Sequence, residues 1–146
     1  MSEFRAVVED GAGSATLPFA GIYAASGSGF YLRELKVFTD AANAARIRIR
    51  RATTAGTWTA EEEIESNEGG PAPTATVVKT ATSTAPTMGD PFDIGGVGAA
   101  IASGFHYVYY GEGRGIWVPA GTGNGIVLIE AADTANEYDV AFVWDE

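Results

Sequence analysis

The chain has 146 residues, no cysteine and a formal net charge of −10. This length reads as one domain, 1–146, able to hold a core without a covalent or metal staple. The missing cysteine excludes disulfides and thiolate metal sites, and the acidity disfavours nucleic acid and anionic lipid as partners.

The predicted elements are almost all strands. Phe4 to Val8 opens the chain and leads into a turn at Glu9-Asp10-Gly11-Ala12-Gly13. Ala15 to Tyr23 contains Pro18, which suits an edge strand or a bulge. Phe30 to Thr39 follows the turn Ser26-Gly27-Ser28-Gly29. Asp40 to Arg46 is Ala-rich but too short for more than a turn. Ala44 to Arg51 alternates, with Ala45, Ile47 and Ile49 on one face and Arg46, Arg48 and Arg50 on the other. Trp58 to Glu65, Thr74 to Thr82, Ala100 to Tyr110, Gly115 to Val118 and Gly125 to Glu130 follow. Tyr138 to Trp144 closes the series with Tyr138, Val140, Phe142 and Trp144 on one face. Short period-two segments punctuated by Gly, Pro, Asn and Asp predict an all-β fold. Two packed antiparallel sheets of eight to ten short strands, jelly-roll-like, are the expected container. The expected core is Leu35, Val37, Ile47, Ile49, Ile64, Ile126, Leu128, Val140 and Phe142.

One stretch, Ser83 to Gly98, shows no strand pattern and reads as a long loop. It carries Met88, Phe92 and Ile94, apolar side chains that are candidates for burial against a partner subunit.

Catalytic constellations are scarce. The single histidine, His106, lies on a predicted strand, and no Gly-x-Ser-x-Gly turn exists to present a serine beside it. The runs Gly95-Gly96-Val97-Gly98, Gly111 to Gly115 and Gly121 to Gly125 do not follow nucleotide-binding spacings and read as hairpin turns. Glu61, Glu62, Glu63, Glu65 and Glu68 form an acidic cluster. A solvated face is the first reading of it, with a hard cation or paired-carboxylate catalysis behind. No catalytic residue, cofactor or metal is assigned, and a non-enzymatic role is expected. Met1-Ser2-Glu3-Phe4-Arg5 lacks the pattern of a secretory leader. No apolar run approaches the roughly 20 residues of a membrane-crossing helix.

Arg46, Arg48 and Arg50 span roughly 13 Å along one strand face. They fit either docking to an acidic partner or pairing inside the fold. Ala44–Arg51 and Trp58–Glu65 are consecutive, so a hairpin is the simplest expectation. Setting Ile47 opposite Ile64 places Arg46 against Glu65, Arg48 against Glu63 and Arg50 against Glu61, a charge ladder that would fix register. The same register sets Ile49 against Glu62, a mismatch.

Five stretches resemble small virion proteins of tailed bacteriophages, of the kind that decorate or cement a capsid. They are Gly21-Ile22-Tyr23-Ala24-Ala25-Ser26-Gly27, Phe30-Tyr31-Leu32-Arg33-Glu34, Arg50 to Thr57, Val118 to Ile126 and Ala141 to Glu146. The resemblance implies a β-sandwich on the capsid exterior, assembled in the host cytoplasm. It implies binding to the major capsid protein lattice and to copies of itself, as a homotrimer first and a dimer second. The alternative is a carbohydrate- or receptor-binding module of a tail fibre, with Trp58, Tyr107, Tyr109, Tyr110 and Trp117 as stacking faces. A jelly-roll enzyme ranks last, since cupin-like metal centres use several histidines.

Overall fold

A computed structural model of the protein describes residues 2–66, 69–109 and 114–146. It is an all-β sandwich of two antiparallel sheets. The strands are β1 (Glu3–Ala12), β2 (Ala20–Tyr23), β3 (Phe30–Thr39), β4 (Ala45–Ala52), β5 (Trp58–Glu61) and β6 (Glu65–Ser66). Then come β7 (Thr76–Ala81), β8 (Met88–Val97), β9 (Gly104–Val108), β10 (Ile116–Val118), β11 (Gly125–Glu130) and β12 (Glu137–Asp145). The first sheet runs β10-β3-β12-β1-β6, with β9 also on β3 beside β10, and the second runs β5-β7-β2-β11-β4-β8. Ten candidate segments gave an expectation of eight to ten strands. The two additional strands arise because Trp58–Glu65 splits into β5 and β6, and because the presumed loop from Ser83 to Gly98 contains β8.

Among the described residues no two consecutive strands pair with each other. Most connections pass from one sheet to the other, as in a jelly roll. Every ladder is therefore long-range, and register is set by which side chains must face the core.

The core lies between the sheets. Eight of the nine expected core residues are fully buried, and Ile64 is half-buried against the same cluster. Of the six buried aromatic side chains that head the core by size, only Phe142 was in the expected core; Trp144, Tyr138, Phe4, Phe19 and Phe30 were not. Phe19 and Tyr138 stack at 4.3 Å between ring centroids, and Phe4 stacks on Trp144 at 5.9 Å. The polar tips of these rings are satisfied. Tyr138 donates to Glu130 Oε2 at 2.7 Å, and Trp144 Nε1 donates to Glu146 Oε1 at 3.0 Å. The expected turn at Glu9–Gly13 is instead the end of β1, which carries a bulge between Val8 and Gly11 with Asp10 left-handed at φ 54°.

Candidate protein-docking surface

The predicted β4–β5 hairpin does not form. β4 lies between β11 and β8, and β5 is the far edge strand, paired with β7. The five residues 53–57 carry the chain across the end of the second sheet. There they run beside the β7–β8 connection: Thr53 N donates to Thr87 O, Thr87 N to Thr54 Oγ1, and Thr57 N to Thr84 O. The ladder of Arg46, Arg48 and Arg50 with Glu65, Glu63 and Glu61 is thereby excluded, because its two halves lie on opposite flanks. The three arginines point outward, since Ile47 and Ile49 between them are fully buried. None has a carboxylate at ion-pair distance among the described residues, and the buried Arg50 Nε has no acceptor there. Their aliphatic stems stand beside the buried, outward-facing Val127 and Ile129 of β11.

Met88, Phe92 and Ile94 belong to a strand and not to a loop. β8 pairs with β4 so that Ile94 faces Arg48 and Met88 faces Ala52, with irregular register around Arg50. The irregularity accommodates Pro91, which cannot donate to a ladder. The three residues part company. Met88 packs into a small cluster with Tyr23, Ala52, Val78 and Val127, whereas Phe92 and Ile94 are exposed.

Phe92 is one end of an aromatic and arginine belt that bridges the two sheets. The Arg51 guanidinium lies 5.7 Å from the Phe92 ring centroid and donates from Nη1 to Trp117 O at 2.8 Å. Trp117 packs on its cross-strand neighbour Tyr31 at 4.7 Å, and Arg114 lies over Tyr31 at 5.9 Å. Trp117 remains 46% exposed. Its ring passes so close to Gly29 that an added Cβ would sit 2.5 Å away. Glycine at 29 is thus a condition of the ring's position. Phe92 and Trp117 are candidates from the sequence for separate reasons, whereas no sequence signal marks Tyr31, Arg51 and Arg114 as site residues. The pairing of β10 with β3 joins Trp117 to Tyr31, and Arg51 links them across the two sheets to Phe92.

Beside the belt, the free edge of β8 is covered by side chains. Tyr107 donates to Ile94 O at 2.6 Å, Asp93 Oδ1 accepts from Ile94 N, and Ser103 Oγ accepts from Gly98 N. The Tyr109 hydroxyl donates to Asp93 Oδ2 at 3.0 Å. Burial raises the Tyr109 phenol well above its ordinary range, with the Asp93 carboxylate adding to it, and the same two causes raise Tyr107. This edge is closed to strand addition at Ile94. His106, exposed on β9, is 3.0 Å from Glu34 of the neighbouring strand.

The opposite flank is acidic. Glu9, Glu62, Glu63 and Glu65 line a groove of about 620 Å³ together with Val7, Ile64, Arg5 and Lys79. The cluster read from sequence is therefore distributed around a groove, with Glu68 outside the described residues. A different set, Asp10, Asp40 and Glu137, brings three carboxylates within 4.8 Å of one another on the surface. Trp58 and Tyr23 border a groove of about 700 Å³, but the Trp58 indole N–H is engaged by Ala55 O at 2.5 Å. The proposed stacking residues do not share one face: Trp58 is on β5, Tyr107 on β9, Trp117 on β10, and Tyr110 lies outside the described residues. Of the glycine runs read as turns, 95–98 lies largely within β8, 121–125 does form a turn before β11, closed by Asn124 N on Gly121 O, and 111–113 falls outside the described residues.

The chain matches no protein-family model, no curated protein and no solved structure.

Proposed function

We propose that the protein is a structural virion component of the capsid-decoration or cement type, with no catalytic role. It binds the major capsid protein lattice on the capsid exterior through the belt of Tyr31, Arg51, Phe92, Arg114 and Trp117. The observation that carries this reading is the belt itself. Protein interfaces concentrate their binding energy in Trp, Tyr and Arg, and these side chains are already held by contacts within the chain. Little side-chain freedom is left to lose on docking. The stretches that resemble virion proteins support the same surface. Phe30–Glu34 contains Tyr31, Arg50–Thr57 contains Arg51, and Val118–Ile126 begins beside Trp117. The net charge of −10 suits a partner that is protein and not nucleic acid or membrane. By the same resemblance the protein acts as a symmetric oligomer, a trimer first and a dimer second.

The test is co-sedimentation with assembled capsids. Stoichiometric binding that falls at least about tenfold in Trp117→Ala, with folding unchanged, supports the proposal. No binding to capsids, together with capture by a glycan panel, replaces it with the tail-fibre receptor module. That second reading draws on the groove beside Trp58 and Tyr23.

A further inference from the structure

The Arg46–Arg48–Arg50 ridge asks for an acidic partner that the described residues of its own chain do not supply. Four of the nine basic residues of the chain fall within residues 46–51. Arg5 is taken by Glu3 at 2.8 Å and Arg33 by Asp145 at 2.6 Å. The ridge holds three guanidinia on one strand face without an ion pair among the described residues, and Ile94 stands 42% exposed opposite Arg48. It is thus a basic row about 13 Å long with an apolar neighbour.

The complement lies on the other flank of the same molecule. There the chain crosses from β5 to β6, and Glu62, Glu63 and Glu65 line a groove with Glu9. The groove also has apolar wall, since Val7 is 52% exposed and Ile64 half-buried. Lys79 is the one cation lining it that no ion pair occupies among the described residues. A row of guanidinia beside an exposed Ile matches a carboxylate-lined groove beside an exposed Val.

We propose that copies of this chain join head to tail, the Arg46–Arg48–Arg50 ridge of one copy seating in the Glu62–Glu65 groove of the next. The occupant is a second copy because the two patches are opposite in charge and each borders an exposed apolar side chain, Ile94 on one and Val7 on the other. They sit at opposite ends of the strand order, β4 next to the edge β8 and β5 at the far edge, so they cannot meet within one chain. Such a contact is heterologous, and it closes into a ring when the rotation between copies allows. Pairs of this kind steer and orient association and weaken with salt. The inference deepens the oligomeric part of the proposed function. It is tested on the isolated protein, so its failure is separable from failure of capsid binding.

The experiment is sedimentation velocity on wild type and on two charge-reversed variants, Arg46→Glu/Arg48→Glu/Arg50→Glu and Glu62→Arg/Glu63→Arg/Glu65→Arg. Wild type self-associates, and added salt weakens the association. Each variant alone associates at least about tenfold more weakly. Mixed in equal amounts, the two reassociate, because each restores the patch that the other has reversed. If either triple variant fails to fold by circular dichroism, the single pair Arg48→Glu and Glu63→Arg is mixed in the same way. Wild type that stays monomeric at high concentration, variants that associate like wild type, or a mixture that stays apart overturns the proposal. Capsid binding lost in the ridge variant with unchanged self-association also overturns it, by assigning the ridge to the lattice.

Discussion

The two flanks of the sandwich are closed in different ways. On the β5–β6 flank the backbone does the closing. Glu62 N still bonds Val77 O of the second sheet, and three residues later Glu65 pairs with Arg5 of the first. With the gap bridged by main chain, the glutamates are free to face water, and the flank is acidic. On the β8–β9 flank no strand crosses the gap among the described residues. Phe105 and Tyr107 of β9, with Tyr109 just past its end, reach toward β8, and their hydroxyls and ring edges meet the β8 backbone and Asp93. One flank spends chain and leaves charge, while the other spends aromatic side chains and leaves an apolar, arginine-bearing rim. Two halves of one sandwich thus acquire opposite surface chemistry from how their edges are sealed.

Both flanks lean on the same core, so the largest expected effect is common to them. Phe142→Ala and Ile47→Ala should each cost about 2–5 kcal/mol through cavity formation, measured by urea unfolding. Next comes the side-chain flank alone. A Cβ at Gly95 would fall within the van der Waals radius of the Phe105 ring. Gly95→Ala should therefore cost about 1–3 kcal/mol by overpacking, and Phe105→Leu in the same chain should recover part of it. A double variant less stable than both singles would mean that Phe105 does not seal this flank.

The main-chain flank has a smaller but pH-dependent support. Glu146 accepts from Thr74 N and Oγ1, from Ala75 N and from Trp144 Nε1, which holds the entry to β7, the partner of β5. Burial alone would raise its pKa, but these four hydrogen bonds outweigh burial and bring it below its ordinary 4.5. A lowered carboxylate pKa contributes stability that is present above about 4.5 and is lost as pH falls through the folded value. Glu146→Gln should cost about 1–2 kcal/mol at neutral pH. The difference from wild type should shrink as pH is lowered through this window in a series of unfolding curves. A constant difference would remove the carboxylate's role. The smallest effect tests the excluded ladder. With Arg48 and Glu63 on opposite flanks, Arg48→Glu and Glu63→Arg should each change monomer stability by less than about 0.5 kcal/mol. At dilution the double variant should be additive within about the same margin. Strong coupling there would reinstate a β4–β5 hairpin.

The contrast between flanks also shows where sequence reasoning reached. Ile47 and Ile49 alternate with arginines, and Val140 and Phe142 with Asp139 and Ala141, so strand identity and inward face follow from period two alone. The edge strand β8 was hidden because Gly89, Pro91, Gly95 and Gly96 remove the β-branched signal. At an edge with bulges, Pro is tolerated, and the missing side chains make room for Phe105. Phe92 was legible as a candidate for burial against a partner and Trp117 as a stacking face, but the belt that unites them was not, because Arg51 and Tyr31 join it only across two sheets.

By itself, the sequence determined the class of fold, the inward face of most strands and the acidity of the surface. These depend on residues a few positions apart, whose relation is fixed by backbone geometry. Which strands pair was decided only in the tertiary structure. A strand with an aliphatic inner face fits many neighbours, and an arginine row finds a plausible match in any glutamate row of the same spacing. The five-residue link 53–57 could have turned back as a hairpin. Extended, the steps from Ala52 to Trp58 reach about 20 Å, enough to cross the roughly 19 Å from β4 to β5 over β11, β2 and β7. Burial of the full set of inner faces selected the crossing, and with it separated the arginines from the glutamates that local pattern had joined.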